Sequence, residues 1–147
     1  MDSVVVHLRD ATEKQVTDFL GCAYPFQQGP PWIFEQSGDA CLYINVYSED
    51  RQEYEPQVWA GVVAALGAEP TVSVIADVSG RHKGEGQERV FVRTMLSQFR
   101  GVALDEYTDY CWTLEDIISG KRIKGHSFFD APGWWYSERS RTKGWNR

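Results

Sequence analysis

The sequence predicts a single α+β domain, with a mostly antiparallel sheet and helices packed on one face. A length of 147 residues suits one domain that buries its own core. Strand-like and helix-like segments follow in the order β-α-β-β-α-β-α, with mixed spacing between the strands. These segments occupy residues 1–130, which we take as the domain. Residues 131–147 are rich in Trp and Arg and have no clear period, so we treat them as a C-terminal tail of undetermined order.

The first strand and the first helix are predicted near the start of the chain. Ser3–Arg9 reads SVVVHLR, a run of β-branched residues that is typical of a strand. Thr12 begins a capping box, because its hydroxyl can accept from an early helix amide and the Gln15 side chain can reach back. The apolar residues that follow share one helical face. We expect Gly21 to end this helix.

A pair of strands is predicted next, at Trp32–Gln36 and Ala40–Tyr47. The residues between them, Ser-Gly-Asp, are typical of a turn. From Leu42 onward the second strand alternates aliphatic and more polar residues, so one of its faces should be core.

The middle of the chain predicts a helix, a central strand and a second long helix. Pro56 suits the first turn of a helix, and Gly67 is expected to close it after a broad apolar stripe. Thr71–Val78 is apolar on both faces, which places it centrally in the sheet. Glu88–Arg100 carries apolar residues on one side and is predicted as a helix.

A short helix is predicted after the capping box that Thr113 and Asp116 form, and Gly120 should end it. His126–Phe129 is interpreted as a short terminal strand whose two phenylalanines point to opposite faces. The residues expected to fix this region to the core are Trp112, Ile117 and Ile118.

The cysteines and the N-terminal sequence indicate a cytoplasmic protein. Cys22, Cys41 and Cys111 are odd in number and far apart, without a C-x-x-C pair, so a reducing compartment fits better than a disulfide framework. The opening MDSVVVHLRD lacks the features of a signal peptide. No apolar stretch approaches the length of a membrane span.

Charge is unevenly distributed along the chain, whose net charge is −6. Residues 1–120 hold 8 Lys and Arg against 19 Asp and Glu, a balance of −11. Residues 121–147 hold 7 basic and 2 acidic residues, a balance of +5. An acidic body repels nucleic acid phosphates and suits a basic protein partner. We therefore expect no nucleic acid partner and no membrane partner.

The motifs of catalysis and cofactor binding are missing from the sequence. The loop GRHKGEG lacks the G-K-[ST] ending of a phosphate-binding loop, and no G-x-S-x-G elbow is present. The three histidines lie on separate segments, so we expect no metal site and no cofactor. Cys111 and His126 could form a nucleophilic pair, but a buried inert thiol is the commoner meaning of such a setting. We expect a protein that is not an enzyme.

Two acidic stretches are the candidate partner-binding surfaces. Acidic residues combined with tyrosines suit a contact with a basic protein. An ordinary solvated loop is the alternative for each stretch. The first candidate patch consists of Glu49, Asp50, Glu53 and Glu55. The second consists of Asp105, Glu106 and Asp109, together with Tyr107 and Tyr110.

The segment DYCWTLEDIISGKRIKGHSFFD carries a family resemblance. Its W-T-L…F-F-D block, from Trp112 to Asp130, resembles the C-terminal block of small bacterial proteins, some of which sit beside polymorphic toxins. The plan of the whole chain is similar to that of the immunity proteins of those systems. The resemblance implies a cytoplasmic antidote that binds and neutralises a cognate toxin domain. It leaves the toxin and the oligomeric state open.

Two alternatives to an immunity protein remain. One is a small enzyme whose site is assembled from residues scattered in sequence, such as His82, Arg93, Asp109 and His126. The other is a phage or bacterial interaction protein with a different partner.

Overall fold

The computed structural model describes residues 3–47, 54–79 and 86–129. The tail at 131–147 and most of the GRHKGEG loop lie outside these residues. Five strands and four helices lie along the described part of the chain. The strands are β1 (Ser3–Arg9), β2 (Trp32–Gln36), β3 (Asp39–Tyr47), β4 (Val72–Val78) and β5 (Arg100–Leu104). The helices are α1 (Glu13–Ala23), α2 (Pro56–Leu66), α3 (Gln87–Gln98) and α4 (Leu114–Ser119).

The strands form one sheet in the order β2-β3-β4-β1-β5, and every neighbouring pair is antiparallel. The predicted α+β class is therefore confirmed, as is the central position of β4. Side chains of one strand point alternately to the two faces of the sheet. Val6 pairs with Val74 and Ala103 on one face, while its neighbour His7 belongs to the other face.

The larger core lies on the Val6 face, where α1, α3 and α4 pack. Its fully buried residues include Val4, Val6 and Leu8 of β1 and Phe91 of α3. A smaller cluster lies on the opposite face, where α2 packs on β1 and β5 through Val62. The expectation of helices on one face is therefore wrong for α2. Because β1 and β5 carry apolar side chains on both faces, each face needs a cover.

Helix α1 begins as predicted and ends later than predicted. The Thr12 hydroxyl accepts from the Gln15 amide at 3.1 Å, and the Gln15 side chain accepts from the Thr12 amide at 2.9 Å. Gly21 does not end the helix, which continues to Ala23. A helical glycine costs about 1 kcal/mol relative to alanine, which packing of the buried Leu20 can override.

Strand β5 is absent from the prediction, in which the helix at Glu88–Arg100 includes the first residue of this strand. The run RGVAL at Arg100–Leu104 pairs with β1 instead. Gly101 permits this pairing, since a Cβ built there would lie 2.6 Å from the backbone oxygen of His7. The outer edge of β5 is covered by Trp112, whose backbone exchanges two hydrogen bonds of 2.8 Å with Ala103.

The segment after Trp112 follows the prediction at its helix and departs from it afterwards. The capping box of α4 and its left-handed Gly120 are both present. Ile118 is 61% exposed, so the expectation that it packs against the core is wrong. His126–Phe129 is not a strand, because His126 only forms an isolated bridge with Ile123. Both phenylalanines, Phe128 and its neighbour, are buried in the same core cluster rather than on opposite faces.

None of the described helices is long and apolar enough to cross a membrane.

Candidate functional site

A groove of about 890 Å³ opens on the face of the sheet that α2 covers only in part. Its floor is formed by side chains of β1, β3 and β4, among them Val5, Tyr47 and Ile75. The start of α2 forms one wall, together with Tyr54 and Glu55, which precede the helix. The opposite wall is residues 105–110, joined by Ile123 and Lys124. We refer to this feature as the acidic groove.

A buried histidine holds the α2 wall against the sheet. His7 has no exposed surface, and its Nδ1 lies 2.8 Å from the Ser73 hydroxyl oxygen. Its Nε2 lies 3.0 Å from the hydroxyl oxygen of Tyr54. The rings of Tyr54 and Trp59 contact the imidazole edge to face. This network positions Tyr54, and therefore the adjacent Glu55, at the mouth of the groove.

Sequence reasoning missed this network, although a weak signal for it existed. His7 is the single polar side chain within the apolar run of β1. Ser73 occupies the paired position on β4. A buried polar group requires a hydrogen-bond partner, so a histidine in a central strand predicts a polar residue opposite it.

Asp105 fixes the shape of the opposite wall. Its Oδ1 accepts from the backbone amides of Tyr107 and Thr108 at 3.1 and 3.2 Å. Its Oδ2 accepts from the backbone amide of Phe129 at 3.0 Å. These hydrogen bonds close a tight turn in the loop and join the loop to Phe129, a residue of the larger core.

Asp105 is buried, so its side chain stabilises the loop and is not part of an exposed contact surface. Only 7% of the residue is exposed. Burial raises the pKa of its carboxyl group, and the amides of Phe129, Tyr107 and Thr108 offset this only in part. The sequence placed Asp105 in a contact surface because composition alone does not distinguish it from the exposed Asp109.

The two tyrosines of the loop are half-buried and anchored from behind. The ring of Tyr107 packs edge to face on Phe129, and that of Tyr110 on Trp112. The Tyr110 hydroxyl donates to Asp116 Oδ2 at 2.7 Å and accepts from Lys121 Nζ at 2.8 Å. Such anchoring lowers the entropy that a tyrosine loses when a partner binds.

Asp116 ties this tyrosine to the start of α4. Its carboxylate also completes the capping box by accepting from the Thr113 amide at 3.1 Å. Burial opposes the charge of Asp116, but hydrogen bonds from Tyr110 and Thr113 and the nearby Lys121 lower its pKa overall. The carboxylate is therefore charged at neutral pH and holds the Tyr110 hydroxyl in place.

The groove brings together residues from both predicted patches. Glu55 from the first patch and Glu106 and Asp109 from the second line it, and all three are exposed. Including Asp105, its described lining holds four carboxyl groups against one ammonium group, that of Lys124. Low-dielectric walls focus the field of such a cleft and raise the local concentration of cations.

Three residues of the first patch, Glu49, Asp50 and Glu53, lie outside the described residues. The described chain stops at Tyr47 and resumes at Tyr54, and both of these tyrosines line the acidic groove.

The residues of the alternative enzyme are not brought together in this groove. Asp109 lines it, but Arg93 and His126 do not, and His82 lies outside the described residues. Burial and the charge of Asp109 raise the pKa of Cys111, which disfavours a nucleophilic thiolate. Within residues 3–47, 54–79 and 86–129, no group of three or more His, Cys, Asp or Glu side chains could hold a metal ion.

No family model, curated protein or solved structure matches this chain. The resemblance of the Trp112–Asp130 block to the C-terminal block of small bacterial proteins, and that of the whole plan to immunity proteins, stays a prediction.

Proposed function

We propose that this chain is a cytoplasmic immunity protein, which neutralises a cognate bacterial toxin domain by binding a basic segment of it in the acidic groove. The observation that carries the proposal is the convergence of Glu55, Glu106 and Asp109, from two distant parts of the sequence, on one concave surface.

The chemistry of the groove supports a protein partner with lysine or arginine at its surface. Arginine can combine an ion pair to a carboxylate with stacking on a tyrosine ring. Tyr107 provides such a ring beside Glu106, whereas the ring of Tyr110 already has Lys121 Nζ 4.8 Å from its centroid. Tyrosine is also among the residues that contribute most to protein interfaces.

The rigidity of both walls supports tight binding. Tyr54 is held through His7, and the loop at 105–110 is held through Asp105. Walls that are fixed before association lose less conformational entropy when the partner binds. The net charge of the acidic body adds long-range attraction, which speeds association with a basic toxin. Occupation of the toxin's basic surface would block its access to a phosphate-bearing substrate.

The test is co-expression with the toxin domain encoded by the neighbouring gene. Wild-type protein is expected to rescue growth and to form a complex on a sizing column. The double variant Glu55→Lys/Asp109→Lys reverses two exposed charges of the groove. We expect it to lower affinity about 10-fold or more, chiefly through slower association, because rim charges act mainly on the association rate.

Asp18→Lys is the control for charge reversal outside the groove, since it reverses one exposed charge on α1, a helix that packs on the other face of the sheet. It should rescue growth as well as wild type. Absence of both rescue and complex with wild-type protein would end the proposal. If the double variant rescues growth and binds with wild-type affinity, the acidic groove is not the binding site.

A further inference from the structure

A second groove, of about 490 Å³, lies at the opposite end of the sheet from β5. It runs between the outer strand β2, the end of α1 and the middle of α3. Among the lining side chains that the structure describes, Glu35 alone carries a charge. On its floor, burial raises the pKa of Tyr24 to about 12, so that hydroxyl is neutral at physiological pH. We refer to this feature as the edge groove.

Two of the large apolar side chains that are exposed in the described part of the chain lie at the edge groove. Phe26 is 60% exposed and Val90 is 49% exposed, and both line it. The third large hydrophobic residue with high exposure among the described residues is Ile118, on α4. Two exposed apolar side chains that line one apolar groove form a patch of the type found at interaction sites.

The strand beside the edge groove has no strand partner on its outer side among residues 3–47, 54–79 and 86–129. The other edge of the sheet differs, because Trp112 covers β5 there. Strand β2 contains no lysine or proline, two residues that commonly block strand addition. The one irregularity nearby is a bulge, and its extra residue is Cys41 in β3, so β2 itself stays regular.

The hairpin of β2 and β3 also carries a negative charge. Between residues 24 and 47 the sequence has two charged residues, Glu35 and Asp39, and both are acidic. Besides burial, these two carboxylates raise the pKa of the Cys41 thiol, so their field acts on one end of the hairpin. A basic side chain near the turn is therefore favoured over an acidic one.

We propose that β2 and the edge groove bind an extended segment of a partner protein, which adds as a sixth strand. The segment places an apolar side chain in the groove beside Phe26 and Val90, and a basic side chain beside Glu35. Backbone hydrogen bonds to the outer edge of β2 provide affinity, and the groove and the carboxylate provide specificity. This surface is separate from the acidic groove and does not depend on the proposed function.

The experiment uses the full chain and a fluorescein-labelled peptide of alternating valine and threonine, with a central phenylalanine and a lysine at each end. Anisotropy titration is expected to give saturable binding. Three peptide variants replace the phenylalanine by aspartate, replace the lysines by glutamates, or carry N-methyl groups on alternate amides. Each is expected to bind about 10-fold more weakly or worse, because a tenfold change corresponds to the loss of one modest interaction.

The protein variant Phe26→Ser/Val90→Asn should weaken binding to a similar degree, and its folding is checked by circular dichroism. Ile118→Ser is the matched control, since it removes an equally exposed apolar side chain elsewhere, and it should bind like wild type.

Three results would overturn the proposal. The first is no saturable binding of the lysine peptide. The second is equal binding of the N-methylated peptide, which would exclude strand addition. The third is a wild-type dimer on a sizing column that the double variant abolishes while the peptide does not bind, which would assign the edge to a second copy of this chain.

Discussion

Asp105 is predicted to be the residue on which the loop wall of the acidic groove depends. Asp105→Asn keeps the shape of the side chain and one oxygen atom. The oxygen can still accept from Tyr107 and Thr108, but an amide NH₂ group then faces the Phe129 amide. One hydrogen bond is lost and a buried donor is left unpaired, which costs about 1–3 kcal/mol.

This cost converts to a thermal shift that is easy to measure. For a chain of this size, 1 kcal/mol lowers the melting temperature by about 2–4 °C. We therefore expect Asp105→Asn to melt about 4–8 °C below wild type, for a cost near 2 kcal/mol. Urea unfolding followed by tryptophan fluorescence gives the free energy of unfolding independently.

The pH dependence of this cost follows from the raised pKa of Asp105. The folded pKa lies above the unfolded value of 3.8. The folded state therefore binds more protons in the window above about pH 4, and wild-type stability falls as pH rises through the folded pKa. The Asn variant lacks this fall, so the stability difference should be larger near pH 4 than at pH 7.

Asp109→Asn is the control for the loss of one negative charge from the same loop. Asp109 is exposed, so its replacement should change stability by less than about 0.5 kcal/mol. If Asp105→Asn unfolds within that same margin of wild type, the assignment of Asp105 as the anchor of the loop is wrong.

Three further predictions concern glycines, a second carboxylate and the thiols. Gly101→Ala should destabilise the protein by about 2 kcal/mol or more in urea unfolding, because the new Cβ meets the His7 carbonyl. Gly61→Ala places its Cβ in open space on α2 and should stabilise the protein by about 0.5–1 kcal/mol. The reverse order of stabilities would refute this packing. Because its folded pKa is lowered, Asp116 contributes stability above about pH 4 that is lost as pH falls through the folded pKa, so wild type should lose more stability than Asp116→Asn in acid titrations. When the native protein is alkylated and analysed by mass spectrometry, exposed Cys22 should react well before Cys41 and Cys111, because burial raises the pKa values of those two thiols. Equal reaction rates would contradict the burial of Cys41 and Cys111.

The sequence predicted those elements whose ends have local causes. Capping boxes at Thr12 and Thr113 and a proline at Pro56 act within one or two turns, and each marks the start of an observed helix. Gly67 and Gly120 adopt the left-handed conformation that ends a helix.

The predictions that were wrong concern elements whose structure is determined by residues far away in the sequence. A short apolar run such as Arg100–Leu104 fits the end of a helix and a buried strand equally well, and pairing with β1 selects the strand. The position of α2 on the opposite face depends on His7 and on the apolar residues of β5, which no local pattern around α2 reveals.

The sequence predicts which types of residue form the candidate site, but not how they are arranged in space. The sequence identified Glu55, Glu106 and Asp109 as acidic residues near tyrosines, but nothing local indicates that α2 and the loop after β5 face each other. It also could not separate Asp105 from Asp109, because the difference is made by the amide of Phe129, 24 positions away. Burial and convergence are properties of the tertiary structure.

The most direct test of the acidic groove as the partner site is a hydrogen-exchange footprint of the complex with the proposed toxin partner. Backbone amides of the two groove walls, at 54, 55, 57 and 58 and at 105–110, are predicted to gain protection when the complex forms. Amides of α1, on the other face, should exchange as in the free protein. Protection confined to β2 or α1, with both walls unchanged, would contradict the account.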